Sequence, residues 1–223
     1  MAKAIINPFQ KKVLLDFKKS NLKDKFYLSG GTALAEFYLH HRLSEDLDFF
    51  TQEELNLEEL KRFINTVCKK ISVKKIEFQR GYGLCTFFIT SKRGEKHKID
   101  FGQYPFGSIE RLKNFNGLLV ESLLDIGVNK THTIAFRPRL RDFIDLYFII
   151  KEHREWSFQE LLKRSFEKFE MKADALQVGT NLLEVEKQID MPIMIKKVNI
   201  DDVKKFFLNE AKKMKKEVFK TQQ

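Results

Sequence analysis

Two aspartates separated by a single residue stand at positions 46 and 48, in the stretch "EDLDFF" of a chain that is otherwise positively charged. In a β-strand, residues i and i+2 point to the same face, so Asp46 and Asp48 would project together. By the same alternation Asp100, in "KHKIDFG", shares a face with Lys98. Carboxylates gathered on one sheet face repel one another and suit Mg²⁺, which prefers oxygen ligands. The alternative is that Asp48 or Asp100 only caps a turn.

A pair of glycines precedes these carboxylates, in "SGGT" at residues 29–32. The pair lies between a predicted short strand and a predicted helix, where unhindered backbone N–H groups can approach a phosphate. The hydroxyls of Ser29 and Thr32 belong to the same turn. A Gly-Gly pair alone is a weak signal, but a pair followed closely by "DLD" favours a site that binds both a phosphate and a divalent cation.

Hydrophobic periodicity predicts the elements that position these residues. Helices are expected over 8–20 and 31–41, with a strand over 26–29 between them and another strand at "DLDFF". The next helix, "NLEELKRFINTVCKK", has Asn56 as its N-cap and precedes a three-strand meander of "VKKIEFQR", "LCTFFITS" and "KHKIDFG". The alternation ends at about residue 107. The helical segments expected after it cover residues 121–135, 139–152, 157–170, 174–188 and 199–218.

The change of pattern near Gly107 divides the chain in two. Residues 1–107 are expected to form an α+β core with a mixed β-sheet that carries the carboxylates, and residues 108–223 a helical region packed on that core. With 223 residues, 43% of them hydrophobic, the chain can bury a substantial core. Its 22 phenylalanines are therefore assigned mainly to packing.

The charge balance favours an anionic partner. Lysine and arginine number 41 against 31 acidic residues, which gives a net charge of +10 and suits nucleic acid or nucleotide. Much of the excess lies in "VKKFFLNEAKKMKKEVFK", an amphipathic helical pattern near the C-terminus. The alternative is that these lysines only face water.

The sequence excludes several other kinds of site. Two cysteines, Cys68 and Cys85, cannot form a zinc cluster and are typical of a reducing compartment. No stretch has the pattern of a signal peptide or a bilayer span, so a cytoplasmic protein is expected. The histidines are not expected to bind metal, because the adjacent His40 and His41 cannot both direct their rings at one ion, and His97 points away from the carboxylate face.

The stretch "GGTALAEFYLHHRLSEDLDFF" resembles the signature of the AbiEii/AbiGii toxin family of nucleotidyltransferases, within the polymerase-beta-like nucleotidyltransferase superfamily. "KIDF" is similar to the strand that bears the family's third metal carboxylate, and "LLDIGVNKTHTIAFRPRLRDFIDLYFI" is similar to its later segment. The resemblance covers about residues 26–150. It implies an α+β fold, with a polymerase-beta-like nucleotidyltransferase core whose mixed β-sheet is flanked by helices, followed by a C-terminal helical region.

The resemblance also implies roles for individual residues. The residues expected to bind the nucleotide are Gly30, Gly31, Thr32, Ser44, Lys130 and Arg137. The carboxylates expected to hold one or two Mg²⁺ ions, or Mn²⁺ in their place, are Asp46, Asp48 and Asp100. The family's late acidic position corresponds to Asp142 or Asp145, and the sequence leaves open which. The residues expected to take part in catalysis are thus Asp46, Asp48, Asp100, Lys130, Asp142 and Asp145.

The reaction that the resemblance implies is transfer of a nucleoside monophosphate from an NTP to an acceptor hydroxyl. The implied acceptor is RNA, a tRNA 3′ end in some members of the family, and the implied protein partner is a cognate antitoxin. One alternative is a small-molecule, antibiotic-type nucleotidyltransferase, which the positive charge disfavours because cationic drugs need an acidic pocket. The other is a non-catalytic nucleic-acid-binding protein on the same fold, which the intact aspartates disfavour.

Overall fold

The chain forms two compact units in a computed structural model that describes residues 4–220, with side chains described over residues 4–215. The first unit comprises the residues up to Tyr38 together with Leu43–Ser122. The second comprises Leu39–Arg42 and the residues from Leu123 onward. The first unit carries the sheet, and the second is helical.

The first unit alternates short helices with strands. Its helices are α1 Pro8–Phe17, α2 Gly30–Leu34 and α3 Leu57–Lys69, and α2 continues as a wider π-helical turn, Ala35–Leu39. Its strands are β1 Tyr27–Ser29, β2 Asp46–Thr51, β3 Val73–Gly81, β4 Leu84–Ser91, β5 Lys96–Gln103, β6 Lys113–Phe115 and β7 Leu118–Val120. Asn56 caps α3 as predicted, since its side chain accepts the Glu59 backbone N–H at 3.1 Å.

Within residues 4–220 the strands form one seven-stranded mixed sheet, in the order β3-β4-β5-β2-β1-β7-β6. The predicted meander is present as antiparallel β3, β4 and β5. Strand β2 pairs in parallel with β5 and antiparallel with β1, and β1 pairs in parallel with β7. The predicted α+β class with a mixed sheet is thereby confirmed.

Aromatic side chains cover one face of this sheet. Phe17 of α1 stacks on Phe49 of β2 with ring centroids 4.2 Å apart, and Phe63 of α3 meets Phe101 of β5 edge-on. Phe49 and Phe101 are fully buried. The assignment of these phenylalanines to packing is correct, and the alternation of each strand leaves its acidic residues to the opposite face.

Strands β6 and β7 differ from the expectation that only helices follow Gly107. Each strand has three residues, too few for an alternating pattern to be recognised. They form a hairpin whose turn contains Asn116 and Gly117, both with positive φ, at 52° and 84°. Asn-Gly is the preferred pair for such a turn, so "FNGLL" carried a signal for this hairpin. The first compact unit accordingly extends to Ser122 instead of ending near Gly107.

The second unit contains all five helices predicted for the C-terminal half. They are α4 Leu123–Phe136, α5 Leu140–Glu152, α6 Phe158–Phe169, α7 Ala175–Leu183 and α8 Ile200–Lys220. Helix α4 contacts α5, α6 and α7, and α7 packs along α8. A buried ion pair links α6 to α4, with Lys168 Nζ 2.8 Å from Asp125 Oδ1. None of the helices within residues 4–220 has the length and apolarity that a bilayer span requires.

Candidate active site

The three aspartates of the predicted metal site come together on two parallel strands. Asp48 of β2 lies directly opposite Asp100 of β5 in the strand register, and Asp46 lies opposite Lys98. The residues between these positions, Leu47 on β2 and Ile99 on β5, are fully buried and belong to the opposite, aromatic face. The alternation of two adjacent strands thus gathers all three carboxylates on one face of the sheet.

Lys98 lies among these carboxylates. Its ammonium donates a short hydrogen bond to Asp100 Oδ2 and lies 3.8 Å from Asp46 Oδ2. Burial by itself favours the neutral amine, but the Asp100, Asp46 and Asp48 carboxylates outweigh it and raise the pKa of Lys98. The Thr86 hydroxyl donates to the other oxygen of Asp100, Oδ1, at 2.7 Å. A positive charge therefore neutralises part of the cluster.

The chemistry of these donors fits a divalent cation. Carboxylate oxygens are the ligands that Mg²⁺ and Mn²⁺ take in proteins, and a cluster of three needs a positive charge beside it. Across the described side chains, no three His, Cys, Asp or Glu residues are arranged to hold a metal ion together. At Asp46 and Asp100 the neighbouring cation is the Lys98 ammonium, which is bonded to Asp100 and lies within ion-pair distance of Asp46. The donor set fits the ion, but Lys98 would have to move.

Gly30 is required by the position of Asp48. Its φ is +70°, a backbone conformation that residues other than glycine rarely adopt. A Cβ at Gly30 would lie 2.3 Å from Asp48 Oδ2 and 3.1 Å from Asp48 Cγ. The glycine turn and the carboxylate face are therefore in direct contact, and the "GG" and "DLD" parts of the sequence pattern belong to one site.

The hydroxyls near the turn are engaged with the protein. Ser29 donates a short hydrogen bond to the buried Glu121 carboxylate, and Thr32 donates one to the backbone carbonyl of Asp46. Both Ser29 and Thr32 are buried. Ser44 is partly exposed, and its carbonyl oxygen accepts a hydrogen bond from Gln10 Nε2 at 2.9 Å. These bonds link β1 to Glu121, α2 to β2, and α1 to the segment before β2. The Ser29 and Thr32 hydroxyls are thus already used, so a phosphate at the turn would rely on backbone N–H groups.

The other predicted residues lie in the second unit, where Asp145 is the centre of a buried cluster. Its Oδ1 accepts from Arg42 Nε at 2.6 Å and from His41 Nε2 at 2.8 Å, while its Oδ2 accepts from Arg42 Nη2 at 2.7 Å. Burial raises the pKa of this carboxyl, but the charges of Lys130 and Arg42 hold it well below its ordinary value. Burial lowers the pKa of His41 in spite of Asp145, so the imidazole is neutral at neutral pH.

Lys130 joins Asp142 to the same cluster. Its ammonium lies 2.6 Å from Asp142 Oδ1 and 2.9 Å from Asp145 Oδ2, so both candidates for the late acidic position bind this lysine. Burial favours the neutral amine, but the two carboxylates outweigh it and raise the pKa of Lys130. Arg137 follows the end of α4 and is exposed. Arg137 therefore lies just outside the helix that carries Lys130.

Three functional candidates were missed or assigned no role by sequence reasoning. His41 and Arg42 bind an aspartate more than 100 residues away, and no local pattern signals such a pairing. Lys98 could have been found, since the alternation that places Asp100 on the carboxylate face places Lys98 there too.

Replacing Gly30 by alanine should lower the free energy of unfolding by about 2–4 kcal/mol, because the new Cβ adds a clash with Asp48 to the cost of positive φ. Gly117→Ala is the matched control, since Gly117 has a φ of +84° with open space where a Cβ would be. That variant should lose only about 1–2 kcal/mol. Urea unfolding followed by circular dichroism measures both, and equal losses would show that Asp48 does not need the glycine.

Comparison with known proteins places these residues in a family. A model of the family described as "Nucleotidyl transferase AbiEii toxin, Type IV TA system" matches residues 12–223. A protein of Aquifex aeolicus (strain VF5), described as uncharacterized protein aq_aa25, is 32% identical over 140 residues. That match covers 62% of this chain and 63% of the Aquifex protein, slightly less than two thirds of its length.

Two solved structures from Helicobacter pylori share the fold. JHP933 superposes with a TM-score of 0.59 at 18% identity, over 96% of this chain and 92% of that protein. A second structure, described as a putative nucleotidyltransferase, gives a TM-score of 0.60 at 18% identity, over 96% and 94% of the two chains. At this identity the likeness shows the fold alone, whereas the family match covers nearly the whole sequence. The chain therefore belongs to the AbiEii nucleotidyl transferase toxin family.

Proposed function

We propose that the protein is a Mg²⁺-dependent nucleotidyltransferase that transfers a nucleoside monophosphate from an NTP to a hydroxyl of an RNA acceptor. It would act as the toxin of a toxin-antitoxin or abortive-infection system. Membership of the AbiEii family supports nucleotidyl transfer as the class of reaction. The observation that carries the proposal is the register of β2 with β5, which sets Asp46, Asp48 and Asp100 on one sheet face beside Gly30.

Asp46, Asp48 and Asp100 would hold the divalent cation. When bound, Mg²⁺ or Mn²⁺ would polarise the phosphate and offset the negative charge that develops on the attacking and leaving oxygens. Without such a charge the three carboxylates would repel a triphosphate. The carboxylate cluster therefore makes chemical sense in this reaction only together with a cation.

Asp100 is the proposed base. Its carboxylate would accept the proton of the acceptor hydroxyl, whose oxygen then forms a bond to the α-phosphorus as the bond to the bridging oxygen breaks and pyrophosphate leaves. Thr86 holds one oxygen of Asp100 and thereby fixes the orientation of the carboxylate. The backbone at Gly30 and Gly31 would bind phosphate oxygens, because neither residue has a side chain to obstruct the approach.

Lys130 and Arg137 remain the proposed contacts of the triphosphate in the second unit. Asp142 and Asp145 hold the Lys130 ammonium by two ion pairs, which fix its position and keep it charged. This supports a positioning role for both aspartates. Arg137 is exposed, and its guanidinium could donate charge-assisted hydrogen bonds to a phosphate oxygen.

The proposed acceptor is RNA, with the 3′ end of tRNA as the specific candidate. The net charge of +10 supports a polyanionic acceptor and opposes a cationic small molecule. A cognate antitoxin protein is the proposed partner, on the strength of the family's description as a toxin. A cytoplasmic location, where NTPs and tRNA are found, belongs to the same proposal.

The direct test is to incubate the purified protein with each labelled NTP, Mg²⁺ or Mn²⁺ and total RNA, and to separate the products on a gel. We expect label from at least one NTP to appear in RNA, in the tRNA band if the specific proposal is correct. Label in a small molecule instead of RNA would favour the antibiotic-type alternative. No transfer with any NTP, metal and acceptor would contradict the proposed activity.

Basic residues of α8 should contribute to RNA binding. Lys205, Lys212 and Lys215 are exposed, and we expect their reversal to glutamate to weaken RNA binding and to reduce its dependence on salt, because fewer counterions are released. The salt slope should fall by about one for each lysine that contacts a phosphate. Filter binding of tRNA across several salt concentrations measures this. Lys216, another lysine of the predicted basic pattern, lies outside the described side chains.

A matched control reverses three exposed lysines of the first unit, Lys19, Lys74 and Lys92, and so makes the same change in net charge. The α8 variant should lose more RNA affinity than this control, while both keep wild-type affinity for NTP. Equal losses in the two variants would mean that only the total charge matters and that α8 is an ordinary solvated helix.

A further inference from the structure

Lys98 occupies a position that the proposed reaction does not explain. It stands on β5 two residues before Asp100, opposite Asp46 in the register, and is therefore directed to the face that carries all three carboxylates. Its side chain is about one-third exposed, and its ammonium is bonded to Asp100 and within ion-pair distance of Asp46. A surface lysine that only aided solubility would not be held inside a carboxylate cluster.

Electrostatics explains why such a lysine is useful when no metal is bound. Asp48 and Asp100 are cross-strand neighbours, and like charges directly opposite each other destabilise a sheet. Asp100 is buried, so its charge is screened less well by water than that of an exposed carboxylate. An ammonium placed among them lowers this repulsion. Because the amine belongs to the chain, it is always present, whatever the concentration of metal ions.

The same contact sets Lys98 against a bound metal ion. The Asp100 oxygen that accepts from Lys98 and the Asp46 oxygen that faces it are among the oxygens a divalent cation would need. A divalent cation bound to these oxygens would also lie close to the Lys98 ammonium, and the two positive charges would repel each other. Either cation can neutralise the cluster, and the two would compete for these oxygens.

We propose that Lys98 is a tethered counter-cation, which stabilises the metal-free carboxylate cluster and must leave it before Mg²⁺ or Mn²⁺ binds. The inference rests on the proposed function, since it takes Asp46, Asp48 and Asp100 as the metal ligands. It makes Lys98 a residue that sets how much metal the protein needs. The measured metal affinity is then the difference in free energy between the cluster paired with a metal ion and the cluster paired with Lys98.

The first experiment measures metal affinity directly. Mn²⁺ is titrated into wild-type protein, Lys98→Met and Lys96→Met, and the free ion is followed by electron paramagnetic resonance. Lys98→Met should bind Mn²⁺ about tenfold more tightly than wild type, the size of effect expected from losing one charge-assisted hydrogen bond that competes with the ion. Lys96→Met should bind as wild type does. It is the matched control because Lys96 is exposed, lies on the same face of β5 and carries the same charge.

The second experiment measures stability without metal. In EDTA, Lys98→Met should melt at a lower temperature than Lys96→Met, because the carboxylates are left without their internal cation. Mn²⁺ should raise the melting temperature of Lys98→Met more than that of the other two proteins. If Lys98→Met does not fold in EDTA, Lys98→Arg replaces it. Arginine keeps the positive charge, so this variant should keep the stability and the weak Mn²⁺ binding of the wild type.

The outcomes separate the inference from the function on which it rests. If wild type binds Mn²⁺ and Lys98→Met binds it no more tightly than Lys96→Met, the role of Lys98 is wrong while the metal site stands. If Lys98→Arg gains affinity as Lys98→Met is expected to do, charge is not the cause and the inference fails again. If no variant binds Mn²⁺ at any concentration, both the competition and the proposed metal-dependent function are overturned.

Discussion

Replacing Asp145 by asparagine should lower the free energy of unfolding by about 3–5 kcal/mol, among the largest losses expected from a single change in the second unit. Asp145 is fully buried and accepts hydrogen bonds from Arg42 and His41, with Lys130 paired to it as well. In Asp145→Asn the carboxylate charge is lost, and the buried Arg42 guanidinium is left beside an amide whose N–H₂ group cannot accept a hydrogen bond. Urea unfolding followed by circular dichroism measures the loss.

The control is Glu152→Gln, which removes an acidic partner of similar size from an exposed ion pair. Glu152 and Lys196 lie 2.7 Å apart, but both side chains are more than one-third exposed. Such pairs contribute about 0–1 kcal/mol, so this variant should unfold almost as the wild type does. Similar losses in the two variants would show that the buried cluster contributes no more than a surface pair.

The Asp145 cluster also gives a dependence on pH with a definite sign. Because the folded state holds the pKa of Asp145 below its ordinary value of 3.8, the carboxyl stabilises the fold at every pH above that value. This contribution is lost as the pH falls through the lowered pKa, where the folded protein must finally bind the proton. Wild type should therefore lose more stability than Asp145→Asn on acidification below about pH 4.

Periodic patterns made most of the fold predictable. Helices α3 to α8 and the strands β2 to β5 each have enough residues to repeat an apolar spacing several times, and their positions agree with the expectation to within a few residues. Strands β6 and β7 are too short to do so, and only the Asn116-Gly117 turn marked them. Strand β1 is as short as these two and was nevertheless predicted, so length alone did not decide which elements could be recognised.

The carboxylate face could be predicted from local sequence patterns, whereas the cluster around Asp145 could not. Alternation placed Asp46 and Asp48 on one face of β2, and Asp100 with Lys98 on one face of β5; the strand register shows that these two faces are the same. Alternation could not show that Lys98 bonds to Asp100, because a bond depends on the side-chain conformation as well as on the face. The Arg42–Asp145 pair lay further out of reach, since it joins residues 103 positions apart through tertiary packing.

Asp48→Asn should reduce nucleotidyl transfer about 10²- to 10³-fold, the range expected when a group that stabilises the transition state electrostatically is removed. The amide keeps the size of the side chain, so Gly30 still has a neighbour of the same shape. What it loses is the charge that would hold the cation opposite Asp100. The rate of label transfer from NTP to RNA, measured under saturating NTP and Mg²⁺, checks the prediction.

The cause of that loss must be separated from misfolding. Asp48→Asn should unfold within about 1 kcal/mol of wild type, because removing one of two facing like charges offsets what the amide loses. Asp24→Asn makes the same chemical change at an exposed position of the same unit and should leave transfer unchanged. Binding of Mn²⁺ should weaken in Asp48→Asn and not in Asp24→Asn, which ties the lost rate to the cation. If Asp48→Asn folds normally and transfers at the wild-type rate, Asp48 cannot be a metal ligand, and the carboxylate face would have to be explained as part of the fold.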